Sequence, residues 1–299
     1  MSDAPWTIGR LLQWTTEFLG QHGAENPRLD AEVLLASARG CQRIDLYAAY
    51  SEEASDELRS AFRAFVSRRA KGEPVAYIVG HKEFYSLDFE VTPDVLIPRP
   101  ETELLVVALL DQAKNRPPLP LGEGRGEGVL EIADVGTGSG ILAICAAKFL
   151  PTARVTAIDI NPAALAVARR NAERHGVADR ITFVEADLLS AEPAEPHYDI
   201  IVSNPPYVSM KELSDLPPDV RDHEPHLALV AGPGGTDVIE RLVPQAAERL
   251  RPGGALLIEV SPMIAPAVEQ LVRSSGRFTV APTLRDSANQ ARVIDAIRT

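Results

Sequence analysis

From residue 129 to the end, short apolar runs alternate with longer amphipathic stretches, and this alternation narrows the fold more than any other feature. Segments 129–135, 154–160, 180–184, 198–202, 255–260, 278–281 and 292–297 have the length and apolar content of strands. Between them fall helical stretches at 141–149, 236–250 and 262–276, and one opened by Asn161-Pro162 and closed by Gly176. Asparagine then proline is a favoured helix start, and glycine a favoured stop. Strands alternating with helices predict an α/β domain, a mostly parallel sheet with helices on both faces.

One strand–helix junction has the form of a cofactor loop. Strand 129–135 runs into Gly136-Thr137-Gly138-Ser139-Gly140 and then a helix. Glycine lets backbone approach a ligand, and a helix N-terminus offers free N–H groups. Asp159 follows Gly140 by 19 residues at the end of the next strand, close to the ~20 expected for an acid that binds ribose hydroxyls. Ile141 stands where a dinucleotide loop wants a small residue, which disfavours NAD and FAD. Asp134, just before the loop, repels a pyrophosphate and suits a cationic ligand. S-adenosylmethionine, with its sulfonium and α-amino group, is such a ligand. The strand at 180–184 ends near Asp187-Leu188, where an acid can accept from the adenine amino group.

A second junction suits an acceptor. Strand 198–202 leads into Asn204-Pro205-Pro206-Tyr207. Two prolines cannot continue a ladder, so the chain leaves the sheet in a stiff loop. The Asn204 amide then stands at the carboxyl end of a strand, where open α/β sheets bind ligands. Together with the free carbonyls of Asn204 and Pro205 it can grip a planar NH2 group by both hydrogens. Aiming the lone pair of such a nitrogen is catalysis by positioning. Tyr207 either packs or walls the pocket.

Taken together, Asp134 to Gly140, Asp159 and Ser203 to Tyr207 resemble a class I S-adenosylmethionine-dependent methyltransferase acting on an amino nitrogen. Two further segments, Ile97-Pro98-Arg99-Pro100-Glu101-Thr102-Glu103 and Glu224-Pro225-His226-Leu227-Ala228-Leu229, narrow the resemblance to the peptide chain release factor glutamine methyltransferases. The likeness runs from the N-terminal helices to the last strand. It implies a Rossmann-like domain with a seven-stranded, mostly parallel sheet containing one antiparallel strand. The activity it implies is methylation of the side-chain nitrogen (N5) of the glutamine in the Gly-Gly-Gln motif of class 1 release factors. Under this resemblance Gly136, Thr137, Gly138, Ser139, Gly140, Asp159, Asp187, Leu188 and Asn204 contact the cofactor. Asn204, Pro205, Pro206 and Tyr207 hold the substrate amide, with Asn204, Pro205 and Tyr207 catalytic. Arg99 and Glu101 lie near the substrate; the alternative for Arg99, Glu101 and Glu103 is an interdomain salt-bridge cluster. Leu188 departs from the family, which often has an aromatic residue there. Val260-Ser261 departs too, since a glycine often follows Glu259.

Composition trims the alternatives. With 30 basic and 42 acidic side chains the net charge is −12, a poor balance for gripping phosphates. This weighs against an adenine-N6 or other nucleic-acid methyltransferase, and stable nucleic-acid binding is not expected. The third alternative, a binding module without catalysis, has no use for the Asn-Pro-Pro-Tyr grip. Cys41 and Cys145 show no metal spacing, and His223, Glu224 and His226 lack a helical ligand pair, so no metal is expected. No apolar run reaches bilayer length and no signal peptide opens the chain. The expectation is a cytoplasmic monomer without membrane contact. Residues 1–80 read as a helical domain for substrate recognition, with Trp6, Leu11, Trp14 and Phe18 at helical spacing. A hairpin over 83–91 falls within a linker, 81–98, and the catalytic domain is 99–299. The Pro- and Gly-rich run 115–128 reads as a flexible insertion.

Overall fold

The computed structural model describes residues 5–115 and 129–299. Apart from Asn115, the predicted insertion 115–128 lies outside the described residues. The chain forms two compact units, Met1–His81 with Pro217–His223, and Lys82–Leu216 with Glu224–Thr299.

The first unit carries α1 (Ile8–Gln21), α2 (Pro27–Arg39), α3 (Arg43–Ala48), α4 (Asp56–Arg69) and α5 (Val75–Val79). In α1 the buried stripe is Ile8, Leu11, Leu12, Thr15 and Leu19, the i, i+3, i+4, i+7 pattern of a core-facing helix. Trp14, at helical spacing with Leu11 and Phe18, lies outside that stripe and is 48% exposed. Its ring stacks on Phe18 at 4.9 Å and meets Trp6 edge-on, so these aromatics form a ladder beside the core face. Glu32 on α2 is buried, and its carboxylate is filled by Arg28, Arg43 and the Tyr47 hydroxyl. Burial pushes its pKa up, but those hydrogen bonds outweigh it and bring the group down to about 2.

The second unit opens inside a hairpin of β1 (His81–Phe84), whose first residue is counted with the first unit, and β2 (Leu87–Glu90). Its two turn residues, Tyr85 and Ser86, have φ of 50° and 59°, the left-handed pair that matches the twist of a two-residue hairpin. Helix α6 (Glu103–Lys114) precedes the doubly wound part. There follow β3 (Leu130–Val135), α7 (Ile141–Phe149), β4 (Ala153–Asp159), α8 (Pro162–Arg174), β5 (Ile181–Glu185) and β6 (Tyr198–Ser203). Beyond α9 (Pro218–His223), which belongs to the first unit, come α10 (His226–Leu229), α11 (Asp237–Arg249), β7 (Leu250–Glu259), α12 (Ala265–Ser274), β8 (Phe278–Val280), β9 (Leu284–Arg285) and β10 (Ala291–Arg298).

The sheet runs in the order β5-β4-β3-β6-β7-β10-β8, with β9 added beside β10. The five strands from β5 to β7 pair in parallel. β10 pairs antiparallel with β7, β8 and β9. It is therefore the one reversed strand of the predicted mostly parallel sheet, and the two-residue β9 is an addition. Strand β6 is buried along its whole length, as a central parallel strand covered on both faces must be. β7 begins five residues earlier than its apolar run. Its pairing jumps from Tyr198↔Leu250 to Ile200↔Ala255, so Pro252-Gly253-Gly254 is a bulge inside the strand rather than a turn before it. No helix among the described residues is long and apolar enough to cross a membrane.

Candidate functional site

The parallel strands β3, β4, β5 and β6 end on one edge of the sheet, and a cavity of about 250 Å³ opens there. Gly136, Thr137, Gly138 and Ser139 after β3, Asp159 at the end of β4, Asp187 and Leu188 after β5, and Asn204 and Pro206 after β6 all line it. Arg99 and Thr102, from the stretch before α6, reach it too. Gly140, Glu101, Pro205 and Tyr207 do not line it. Parallel strands with right-handed crossovers bring their carboxyl ends, and the loops that follow, to a common edge.

The glycine loop is held by its own acids. Asp134 is fully buried, and its Oδ2 accepts from Thr137 Oγ1 at 2.6 Å and from Ala143 N at 3.0 Å. Its Oδ1 has no partner among the described residues. Burial pushes the Asp134 pKa up to about 7, against the pull of those two donors. Asp159 accepts from Gly138 N through Oδ2 and from Asn161 N through Oδ1, each at 2.9 Å. Each oxygen keeps a second lone pair, which is what a ribose hydroxyl needs. Burial raises the Asp159 pKa, and the backbone donors work against it. Gly136 and Gly138 have φ of 77° and 55°, and a Cβ on either would meet nothing within 4 Å. The loop therefore presents open backbone to the cavity. Gly140 differs, since its Cβ would lie 3.1 Å from Ala168 Cβ. It brings α7 close to α8 rather than exposing backbone to a ligand.

Asp187 is ion-paired with Arg241, which also lines the cavity. Leu188 has φ of 54°, a left-handed conformation uncommon for a bulky residue. At the acceptor side, Asn204 Nδ2 donates to Thr102 Oγ1 at 3.2 Å, and no described hydrogen bond ends on Asn204 Oδ1. Pro205 is buried. Tyr207 packs on the core cluster behind β6 and β7, and burial pushes its hydroxyl up to about 12, with the Glu259 charge adding to the rise.

Arg99 is ion-paired with Glu224, whose other oxygen accepts from Ile97 N. The two segments at 97–103 and 224–229 are thus tied to each other within one unit. Glu103 accepts from Tyr85 N at the hairpin turn, and Glu101 is exposed. Pro225, Leu227, Ala228 and Val230 wall the cavity from the loop beyond Tyr207. Sequence reasoning missed Asn171 of α8. Its Nδ2 donates to Ser139 O at 2.9 Å and to Glu90 O at 3.0 Å, clamping hairpin and glycine loop together. A mid-helix asparagine that is wholly buried was the only signal, and burial cannot be read from one sequence. No group of three or more metal-ligating side chains occurs among the described residues.

The family described as "PrmC N-terminal domain" matches residues 10–80, and the "Methyltransferase small domain" matches residues 124–216. A solved structure of the hMettl16 catalytic domain in complex with a 3′ UTR hairpin is similar in fold, with a TM-score of 0.55 at 16% identity over 78% of this chain and 81% of that one. Fold and matched domain together make the second unit a class I methyltransferase domain. The release factor glutamine methyltransferase of Rhodopirellula baltica is 46% identical over 98% of this chain and 97% of its own length. That of Geobacter sulfurreducens is 43% identical over 87% of each. The chain belongs to the release factor glutamine methyltransferase family.

Proposed function

We propose that this protein transfers a methyl group from S-adenosylmethionine to the side-chain amide nitrogen of the glutamine in the Gly-Gly-Gln motif of class 1 release factors. The observation that carries the reading is the open Oδ1 of Asn204 in the same cavity as the open glycine backbone. The residues present suit the cofactor. Gly136 and Gly138 leave room for its methionine part, Asp134 and its unpartnered oxygen favour a cationic group nearby, and Asp159 offers lone pairs to a ribose. Leu188 would wall the adenine, and Asp187 would accept from its amino group in place of Arg241.

When bound, S-adenosylmethionine supplies an electrophilic methyl group on a sulfonium. The work of the chain is orientation. Asn204 Oδ1 and the Pro205 carbonyl accept from the two amide hydrogens, turning the nitrogen lone pair toward the methyl group. Near-attack placement of this kind lowers a barrier without a strong base. The amide nitrogen would exchange one of its two hydrogens for the methyl group, and that proton would pass to solvent, because a carboxamide oxygen and a peptide carbonyl accept a hydrogen bond without taking the proton. Pro206 and Tyr207 stiffen the loop that carries both acceptors, and Arg99 holds the wall of the cavity through Glu224. The helical unit recognises the release factor. The reading places the protein in the cytoplasm as a monomer, with S-adenosylhomocysteine as product and no metal.

The test is methyl transfer from labelled S-adenosylmethionine to purified release factor, beside a copy whose Gly-Gly-Gln glutamine is replaced and beside a DNA duplex. Label on the intact factor alone is the expected result. Label on the duplex would move the protein to nucleic-acid substrates. Cofactor binding with no transfer would leave a binding module.

A further inference from the structure

In the helical unit a buried carboxylate holds three surface side chains in place. Glu32 of α2 is only 3% exposed. Its Oε1 accepts from Arg28 Nε at 2.6 Å and from the Tyr47 hydroxyl at 2.5 Å, and its Oε2 accepts from Arg43 at 2.8 Å. The Arg28 guanidinium also lies over the Tyr47 ring, 5.8 Å from its centroid. Exposed apolar side chains surround this cluster. Helix α3 buries only Leu46 and leaves Ile44 67% exposed, next to Arg43 and one turn before Tyr47. Leu29, exposed on α2, sits one turn before Glu32 on the same face.

Stability does not account for this arrangement. Taking a carboxylate out of water costs about as much as its partners return. Docking does account for it. Apolar side chains gathered at a surface and rimmed by polar ones mark interaction sites. Tyrosine and arginine are frequent anchors of protein interfaces, and a side chain already held in place loses less freedom on binding. The charge of the cluster sets its partner. A guanidinium has five N–H donors; Arg28 uses two within the cluster and Arg43 one, and both side chains are half-exposed. The other acids of α2 and α3 are engaged elsewhere, Asp30 with Arg69 and Asp45 on Gln42 N. Two cations over one carboxylate therefore leave a positive spot on a chain of net charge −12. Its remaining donors suit carboxylates, which arginine binds in pairs of hydrogen bonds. Phosphate contacts would need only the cations and leave Leu29 and Ile44 without a role.

We infer that Leu29, Ile44 and Tyr47, with Arg28 and Arg43, form the surface by which the helical unit docks the release factor, on a segment of that protein where carboxylates flank apolar side chains. The inference rests on the reading of the protein as a release factor methyltransferase. None of these residues lines the cavity, so the surface supplies affinity and no chemistry. Its loss shows in KM for the release factor and leaves kcat and cofactor affinity alone.

The experiment measures kcat and KM for purified release factor with the full-length protein, beside cofactor affinity by calorimetry and melting temperature. Ile44→Glu changes an exposed side chain without touching Glu32, and Arg43→Gln removes a charge while keeping a donor for Glu32. Expected are a rise in KM of about tenfold for Ile44→Glu and about threefold to tenfold for Arg43→Gln, the range of altered interface anchors, with kcat and cofactor affinity unchanged in both. Wild-type KM should rise with added salt, and less steeply in Arg43→Gln. Wild-type KM in both variants, with methyl transfer to the release factor intact, would overturn the docking surface and leave the proposed function standing. No transfer to the release factor by the unaltered protein would remove both. Weaker binding of an RNA oligonucleotide by the two variants, with KM for the release factor unchanged, would also overturn the inference and move the surface to nucleic acid. Should Ile44→Glu melt below wild type, Ile44→Ser replaces it, and an unchanged KM there would overturn the inference.

Discussion

The cavity is held in two different ways on its two sides. Toward the cofactor the contact surface is backbone, shaped by Gly136 and Gly138 and pinned by Asp134 and Asp159 through bonds to loop atoms. Toward the acceptor the surface is a side-chain amide, Asn204, backed by Thr102. Backbone set by dihedral angles changes little with pH, and only a substitution that adds bulk or strain disturbs it. A side-chain amide held by one hydrogen bond fails when one atom changes. The two sides should therefore fail separately. Asn204→Ala makes the sharpest break. Removing a preorganised polar contact costs about 10²- to 10³-fold in kcat, and the glycine side should keep its cofactor affinity within about twofold, since Asn204 lies outside that loop. Steady-state kinetics with calorimetric cofactor binding checks this. A matching loss of affinity would merge the two sides into one.

The buried carboxyl that ends β7 should appear in stability. Glu259 has an ordinary value of 4.5 and a folded one of about 7. An acid with a raised folded pKa leaves stability untouched below the unfolded value. As pH rises from 4.5 to 7 the unfolded chain ionises first, and the fold loses stability. Above 7 the penalty is complete, on the order of 3 kcal/mol at ~1.4 kcal/mol per pH unit. Glu259→Gln carries no such penalty. Its melting temperature relative to wild type should rise between pH 5 and pH 8. Buried Asp134, also raised to about 7, remains in both proteins and cancels from the comparison. A difference in melting temperature that does not vary with pH would mean that Glu259 is already paired in the fold.

The same division explains what could be read from the residues alone. The glycine loop is a contiguous signature with an acid at a fixed distance, and Asn204 to Tyr207 is contiguous too. Strand positions followed from apolar runs, because a parallel sheet buries both faces. Thr102 and Asn204 are far apart in the chain and meet only when β6 and the stretch before α6 come together. No local pattern announces that meeting. The same holds for Arg99 with Glu224, and for Asn171, which joins β2 to the glycine loop. The bulge at Pro252-Gly253-Gly254 falls between the expected helix 236–250 and the expected strand 255–260, because glycine and proline signal a break between elements as readily as an irregularity inside one. Helical spacing of Trp6, Leu11, Trp14 and Phe18 does not say which of them face the core, because an aromatic at that spacing fits either of two adjacent stripes, and only the packing partner decides.

Two alanine substitutions in one loop sharpen the picture of the cofactor side, with the smallest expected effect. Gly138→Ala and Gly140→Ala both place a side chain at positive φ, 55° and 85°, a strain of about 1–2 kcal/mol. They differ in where the methyl group goes. At Gly138, which lines the cavity, nothing lies within 4 Å, so the methyl enters the space a ligand needs. At Gly140 it meets Ala168 Cβ and Ile144 Cδ1, each at 3.1 Å, and the space between α7 and α8 must open. Gly140→Ala should therefore lose more stability, a fall of about 2–8 °C in melting temperature for ~1–2 kcal/mol, with cofactor affinity nearly intact once folded. Gly138→Ala should melt closer to wild type and bind cofactor several-fold more weakly. Equal losses of affinity in the two would mean that the whole loop moves as one piece, and that its backbone is held by the helices behind it as much as by Asp134 and Asp159.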